Sequence, residues 1–361
     1  MERPALNADG TAPEGRGLSR REVLGGGAAA AAALAAGKTE GAGVPGKHVH
    51  GGPGERRAAL WRLLGDLPER RAPSAERRSP ERREGFTLER LTLDLNGLQK
   101  VPALLLVPDN AREKAPGLLY IHWHGGDYPV GKEELLAGTR AMQGAYAPEL
   151  AKRGIVTLAI DSWCFGERMP YPDDGGRGES DTFKEMLWKG RVLFGMMLFD
   201  EWQAFRWLAE HPLVDPDRIG VFGMSMGATK AWWLAALEPR VACCMDLCCL
   251  TDFDTLIEER GLGGHGIYYY VPNLLKEFST GDINALIAPR PRLSLNGRED
   301  KLTPPRGVER VRDRVLPLYA AAGKAEDCRI ELFDCAHEEL PEMRRLILDW
   351  MDRHLARPTP A

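Results

Sequence analysis

One stretch, RIGVFGMSMG at residues 218–227, limits most strongly what this chain can fold into. Its first half is an apolar run typical of a buried parallel strand, and its second half is a Gly-Met-Ser-Met-Gly turn. An Ala/Leu/Trp segment of helical character follows at residues 228–238. The pattern predicts a strand, a tight turn and a helix that meet at Ser225.

The residues of this turn fit the chemistry of an activated serine. A serine on so sharp a turn needs neighbours without side chains, which Gly223 and Gly227 provide. The following helix would direct its first amides at an oxyanion, and the N–H of Met226 is the natural first donor. The alternative is that Ser225 only caps the helix.

The rest of the chain predicts an α/β fold. Two alternating segments, FTLERLTLDL and KVPALLLVP, flank an Asn-Gly turn and predict an antiparallel hairpin. Apolar runs and amphipathic segments then alternate, which predicts a mostly parallel sheet of about eight strands with helices on both faces. We predict the later strands at 117–122, 155–160, 219–222, 240–250, 292–296 and 329–333, and helices at 146–153, 183–210, 307–322 and 341–355.

The chain divides into five predicted parts. Residues 1–37 carry Ser-Arg-Arg before an Ala/Gly run and resemble a twin-arginine export signal, so we expect a periplasmic or extracellular protein. An Ala-rich helix or a membrane anchor is the alternative, but the run is too short to span a bilayer. We expect a flexible linker at 38–54, a helical extension at 55–85 and a catalytic domain at 86–356, with a cap-like insertion at 252–282.

Charge and composition narrow the classes of partner. The formal net charge is only −4 over 361 residues, which gives no electrostatic reason to expect nucleic acid or an anionic membrane surface as partner. We expect a small-molecule or carbohydrate ester as substrate and no stable membrane anchor. The oligomeric state stays open.

A serine nucleophile needs a base, and His337 is the best candidate. It lies in a short loop between the last predicted strand and the C-terminal helix, in agreement with the serine, acid, histidine order of such sheets. His265 is the alternative base, and His211 is interpreted as structural. Asp300 is the predicted acid because it follows the strand at 292–296. Glu299, Asp246 and Asp252 are alternatives.

The second oxyanion donor is expected from the sequence IHWHGGD, in which Gly125 and Gly126 let the backbone approach a ligand closely. His122 and His124 have a spacing known from metal ligands, but no cysteine lies close in sequence. We interpret them as loop-shaping residues and expect neither a metal nor a cofactor.

Aromatic residues and cysteines receive separate interpretations. Trp123, Trp163, His265 and Tyr268 are predicted to narrow the substrate cleft. The seven cysteines, four of them in CCMDLCC, are interpreted as small apolar core residues, with a metal site or a disulfide as the alternative.

Taken together, HWHGGD, AIDSWCFGER, GMSMG, INALIAPRPRLSLNGREDKLTPP and AHEELPEMRRLILDWMDRHL resemble the exported bacterial α/β-hydrolases of the dienelactone hydrolase and acetyl-xylan-esterase-like group. The resemblance implies an α/β-hydrolase fold and a serine esterase with Ser225, Asp300 and His337 as triad and Met226 with Gly126 as oxyanion donors. A serine where small dienelactone hydrolases have cysteine favours ester hydrolysis. A peptidase of the prolyl-oligopeptidase kind and a silent binding protein are the alternatives.

Overall fold

The apolar segments of the chain are the strands of one sheet. The structure is a computed structural model and describes residues 51–356. Within this range ten strands form a single sheet. They are β1 (Ser74–Arg77), β2 (Glu81–Arg83), β3 (Phe86–Asp94), β4 (Val101–Pro108), β5 (Ala115–Ile121), β6 (Val156–Ile160), β7 (Val214–Met224), β8 (Cys243–Leu247), β9 (Arg292–Gly297) and β10 (Cys328–Phe333).

The sheet is antiparallel at one side and parallel through its centre. Its order is β1-β3-β4-β6-β5-β7-β8-β9-β10, with β2 paired to β3. The strands from β6 to β10 pair in parallel, whereas the predicted hairpin of β3 and β4 joins them antiparallel. Strands β5, β6, β8 and β9 are buried along their whole length, as expected for parallel strands covered on both faces.

Helices cover both faces, which confirms the predicted α/β architecture. Alternate residues of β5 point to opposite faces: Leu119 joins one apolar core and Leu118 joins the other. The helices are α1 (Pro53–Leu63), α2 (Glu134–Ala137), α3 (Ala147–Lys152), α4 (Gly175–Trp188), α5 (Leu193–Ala209), α6 (Met226–Leu237), α7 (Phe253–Glu258), α8 (Leu274–Glu277), α9 (Thr280–Ala285), α10 (Pro305–Ala321) and α11 (Pro341–Met351). The first core packs under α1, α5, α6 and α10, and the second under α3 and α11.

The predicted single helix at 183–210 is wrong. The structure has two helices, α4 and α5, that are separated at Gly190, whose φ of +75° breaks the helical path. Residues 175–182, before the predicted helix, form the first turns of α4, and the side chain of Asp174 caps them by accepting from the N–H of Arg177.

The prediction of a helical extension at 55–85 holds only for its first part. Helix α1 ends at Leu63, and the charged run after it forms β1 and β2 at the edge of the sheet. Cross-strand ion pairs favour this edge, because Arg77 of β1 lies 2.7 Å from Glu89 of β3. The predicted linker also ends earlier than residue 54, because α1 begins at Pro53.

The remaining predictions about the N-terminus concern residues before residue 51, where the described part of the chain begins. The export signal at 1–37 and the linker up to residue 50 lie outside the described part of the chain. Across residues 51–356, no helix combines the length and the apolar character that crossing a membrane would require.

The turn at Ser225 is as tight as its glycines predict. Ser225 has a φ of 58° and a ψ of −118°, a conformation that side-chain-bearing residues rarely adopt. A Cβ atom on Gly227 would lie 2.0 Å from the carbonyl oxygen of Ile121, and one on Gly223 would lie 2.5 Å from the same oxygen. Both glycines are therefore required for α6 to pack against the end of β5.

Substitution Gly227→Ala should destabilise the fold strongly, because a methyl group has no space beside the Ile121 carbonyl. We expect the free energy of unfolding to fall by about 3 kcal/mol or more, measured by urea denaturation. Gly263→Ala is the matched control, since a Cβ there meets no atom within 4 Å. Equal stability of the two variants would contradict the close approach.

Candidate active site

Three strands end where the predicted catalytic residues begin. Ser225 follows β7, Asp300 lies three residues after β9, and His337 lies in the loop after β10. Because β7, β8, β9 and β10 are neighbours and parallel, all three residues lie at the carboxyl edge of the sheet. The amide of Ser225 donates to the carbonyl of Leu247 at the end of β8, which ties the turn to the neighbouring strand.

Asp300 and His337 form a close pair. Nδ1 of His337 lies 2.7 Å from Oδ2 of Asp300, and the other carboxylate oxygen accepts from the N–H of Leu302 at 2.9 Å. The Asp300 side chain is fully buried, whereas the His337 ring is 21% exposed. A carboxylate acceptor at Nδ1 places the ring proton there, so Nε2 is left as an acceptor.

One contact of the predicted triad, the hydrogen bond between Ser225 and His337, is not formed in the described part of the chain. Among residues 51–356, the Ser225 hydroxyl makes no hydrogen bond, and its residue is 8% exposed. Such hydrogen bonds are often long in enzymes without substrate and shorten when the substrate binds. The structure thus joins the acid to the base and places the serine at the same edge of the sheet.

The alternative acids have other partners. Asp246 forms a fully buried ion pair with Arg292 and accepts from the Ser294 hydroxyl at 2.6 Å. Asp252 caps α7 through the N–H of Thr255, and Glu299 is exposed. Of the four acidic candidates, Asp300 contacts His337.

The alternative histidines are also engaged elsewhere. Nε2 of His265 lies 3.0 Å from the carbonyl of Leu302, and its ring stacks on Tyr269. His211 packs its ring against Trp207 near the end of α5. His265 nevertheless connects the insertion to the loop that carries Asp300, so the insertion lies beside this site.

The loop after β5 has a fixed backbone. The carbonyl of His124 accepts from the N–H of Asp127 at 2.9 Å, and the carbonyl of Gly125 accepts from Arg140 at 2.8 Å. The N–H of Gly126 donates to Nδ1 of His124 at 3.1 Å. Its amide therefore already has an acceptor. Among the described residues, the amides of Gly125 and Met226 have none.

The two histidines of this loop hold its shape. His122 is fully buried, its Nε2 accepts from the N–H of Ser162 at 3.1 Å, and its Nδ1 donates to the carbonyl of Trp123 at 2.7 Å. Burial lowers the pKa of His122 well below its usual range, so the ring is neutral. His124 contacts Glu179 through Nε2 at 3.3 Å. Both rings are thus occupied within the protein.

The aromatic residues predicted to narrow the cleft are mostly shielded from solvent. Trp123 and Tyr268 are each 3% exposed. Trp123 is covered because Gly125 lies against its indole ring and Arg140 lies 4.8 Å above it. Trp163 and His265 are half-buried, and Trp163 stacks on the guanidinium of Arg168.

Sequence reasoning missed three buried carboxylates beside the site. Glu134 accepts from the N–H of Trp123 at 2.8 Å and from the Tyr120 hydroxyl at 2.7 Å. Glu179 contacts His124, and Glu339, two residues after His337, accepts from the Tyr146 hydroxyl and the N–H of Gln143. Only Glu339 had a signal in the sequence, its position beside the predicted base.

The cysteines agree with their interpretation as core residues. All seven are buried and none forms a disulfide within residues 51–356, which include every cysteine of the chain. Cys248 lies closest to the site, with its sulfur within 4.8 Å of ligand atoms of Asp300 and His337. Burial raises the pKa of this thiol well above its usual range, so the thiol is protonated.

The known proteins that are similar to this chain are hydrolases or have the fold of esterases. The profile of the Abhydrolase family matches residues 69–315. YtaP of Bacillus subtilis (strain 168), a proposed hydrolase, is 43% identical over 302 residues, which are 83% of this chain and 99% of its own length. A glucuronoyl esterase from Solibacter usitatus has a similar fold, with a TM-score of 0.61, 16% identity, and coverage of 83% of this chain and 92% of its own.

A proposed acetyl xylan esterase from Bacteroides fragilis NCTC 9343 is similar in fold as well. Its TM-score is 0.60 at 22% identity, with 78% of this chain and 74% of that chain covered. These two structural similarities, with the family match, confirm the predicted α/β-hydrolase fold.

Glu134 of α2, which holds the loop after β5, should make the stability of the fold depend on pH. Burial raises the pKa of Glu134 from 4.5 to about 8, so the folded state holds a proton that the unfolded state releases above pH 4.5. This contribution to stability is complete below pH 4.5 and is lost as the pH rises toward 8, by up to ~1.4 kcal/mol per pH unit.

Urea denaturation at pH 5, 6.5 and 8 measures this effect. Relative to Glu134→Gln, the wild type should lose stability as the pH rises, while the exposed control Glu342→Gln follows the wild type. A constant difference between wild type and Glu134→Gln at all three values would disprove the assignment.

Proposed function

The chain belongs to this Abhydrolase family and is a hydrolase, and from that membership we propose that it is a serine esterase that acts through an acyl-enzyme. The observation that carries the proposal is the contact between the buried Asp300 carboxylate and His337, at the same carboxyl edge of the sheet as the strained serine turn. A buried carboxylate that orients an imidazole serves to activate a nucleophile.

The proposed reaction uses these residues in two steps. Nε2 of His337 takes the proton of the Ser225 hydroxyl as its oxygen attacks the ester carbonyl carbon, and Asp300 stabilises the imidazolium that forms. The resulting oxyanion accepts from the N–H of Met226 and from an amide of the loop at 122–126. The C–O bond of the ester breaks, His337 returns the proton to the alcohol, and water then releases the acid by the same route.

Gly125 supplies the second oxyanion donor in this proposal. The sequence resemblance favours Gly126, but the N–H of Gly126 donates to His124 in this structure, whereas that of Gly125 has no acceptor among the described residues. The carbonyl of the same peptide unit is held by Asp127, so the free N–H has a fixed direction.

The proposed substrates are carboxylic esters, with acetyl groups on carbohydrates as a specific case. The proteins of similar fold include a proposed acetyl xylan esterase and a glucuronoyl esterase, whose names refer to acetylated xylan and to glucuronoyl esters. Activity of the purified protein toward acetylated xylan, methyl glucuronate and simple alkyl esters decides between these substrates.

The proposed site of action is outside the cytoplasm. The Ser-Arg-Arg sequence and the Ala/Gly run within residues 1–37 support export by the twin-arginine route. The catalytic domain then includes α1, β1 and β2, which share its core and its sheet, and so begins before the predicted residue 86. This route carries folded proteins, which suits a chain whose described cysteines are buried thiols.

Replacement of the proposed nucleophile should remove activity without removing the fold. We expect Ser225→Ala to abolish hydrolysis of p-nitrophenyl acetate, with the melting temperature within about 2 °C of the wild type, because the hydroxyl makes no hydrogen bond among residues 51–356. A fluorophosphonate probe should label the wild type at Ser225 only. If Ser225→Ala keeps activity, another residue is the nucleophile. A wild type that the probe does not label would indicate a catalytically inactive binding protein.

Replacement of the proposed acid should lower the rate and leave substrate binding intact. Asp300→Asn keeps the shape of the side chain but cannot stabilise the imidazolium, so we expect kcat to fall by about 10³- to 10⁴-fold. Glu299→Gln, at the exposed neighbouring position, is the matched control and should keep kcat within about twofold. Similar kcat values for the two variants would exclude Asp300 as the acid.

A further inference from the structure

A buried carboxylate outside the proposed triad contacts the loop that carries the candidate oxyanion donors. Glu179 of α4 is 3% exposed, and its Oε2 lies 3.3 Å from Nε2 of His124. Within residues 51–356, no lysine or arginine pairs with Glu179, and its second oxygen, Oε1, has no partner. A carboxylate is costly to bury without a cation, so the contacts that Glu179 does make, to His124 and Tyr128, indicate what it holds in place.

The contact fixes the tautomer of His124. Nδ1 of the ring accepts the N–H of Gly126, so in the neutral ring the proton lies on Nε2, and Glu179 accepts it. Without this carboxylate, the proton could move to Nδ1, where it would face the N–H of Gly126 and remove its acceptor. The position of the ring proton thus decides whether Gly126 is held.

The held amide determines the direction of the neighbouring peptide unit. The unit between Gly125 and Gly126 is bound at both ends, by Arg140 at its carbonyl and by His124 at its N–H. The preceding unit is bound at its carbonyl by Asp127, and the N–H of Gly125 is left free. A fixed direction of a free amide is what stabilises an oxyanion, because the donor need not reorganise during the reaction.

We propose that Glu179 is a positioning residue for the ester hydrolysis proposed above. It acts through His124 on the amide of Gly126 and so fixes the loop after β5, which carries the candidate oxyanion donor Gly125. Among the described residues, Glu179 makes hydrogen bonds to His124 and Tyr128 and none to Ser225 or His337. The inference rests on the proposed function for its effect on rate, and on contacts alone for its effect on the loop.

The test compares variants that break the contact at different points. Glu179→Leu removes the acceptor of His124, and Glu179→Gln keeps an oxygen that can accept. Tyr128→Phe is the matched control, because the Tyr128 hydroxyl donates to the same Oε2 at 3.0 Å without contacting the loop amides. His124→Phe keeps a ring that packs against Phe165 and Tyr268 but removes both nitrogens.

We expect Glu179→Leu to lower kcat for p-nitrophenyl acetate by roughly 10- to 100-fold, less than the 10²- to 10³-fold cost of deleting an oxyanion donor. KM should change less than about threefold, and inhibition by phenylboronic acid, which becomes tetrahedral on the serine oxygen, should weaken in parallel with kcat. Glu179→Gln and Tyr128→Phe should stay within about threefold of the wild-type kcat.

The double variant tests whether Glu179 acts through His124. In the His124→Phe background, Glu179→Leu should cause no further loss of kcat. Additive losses, a wild-type kcat in Glu179→Leu, or equal losses in Glu179→Leu and Tyr128→Phe would overturn the proposal. If Glu179→Leu does not fold, the test is His124→Phe, which should lower kcat. A wild-type kcat in His124→Phe would also overturn the proposal.

A measurement independent of activity separates this inference from the proposed function. Hydrogen–deuterium exchange of peptides that cover residues 122–128 should be faster in Glu179→Leu than in the wild type and unchanged in Tyr128→Phe. Unchanged exchange in Glu179→Leu overturns the anchoring of the loop. If instead Ser225→Ala keeps full esterase activity, the proposed function fails, while faster exchange still supports the anchoring.

Discussion

The close approach of α6 to the end of β5 is the constraint on which the site depends. The helix lies so near the Ile121 carbonyl that Gly223 and Gly227 have no space for a Cβ atom. This contact forces Ser225 into its strained conformation. It also brings the loop after β5 next to the first turn of α6, so one packing contact positions both the serine and the amides proposed to face it.

Buried polar groups hold the loops around this contact. The Asp246–Arg292 ion pair ties β8 to β9, and the carboxyl groups of Glu134 and Glu179 accept hydrogen bonds from the loop after β5. Lys230 of α6 pairs with Glu201 of α5 at 3.0 Å in the interior. The two ion pairs contribute little net stability, but removal of one partner of either pair is costly, so they favour one arrangement of the strands and helices over others.

Local patterns predicted much of this arrangement. Periodicity and the placement of glycines predicted the hairpin of β3 and β4, the central strands and the turn at Ser225. The order of serine, acid and histidine along the chain selected Asp300 and His337, which are in contact in the structure. The predictions failed where a feature depended on distant partners. The charged run before β3 forms β1 and β2 because it pairs with β3, a strand that lies outside the run.

The sequence by itself determined the central strands, the position of the serine turn and the candidate acid and base. Strand periodicity and glycine conformation are local properties, and the order of serine, acid and histidine is read directly along the chain. Only the tertiary structure decided which amide of the loop after β5 is free and which carboxylates hold that loop. Glu134 and Glu179 lie 11 and 55 residues along the chain from the loop residues they contact. A hydrogen bond between such residues depends on how helices pack on the sheet, and no short-range pattern encodes that packing.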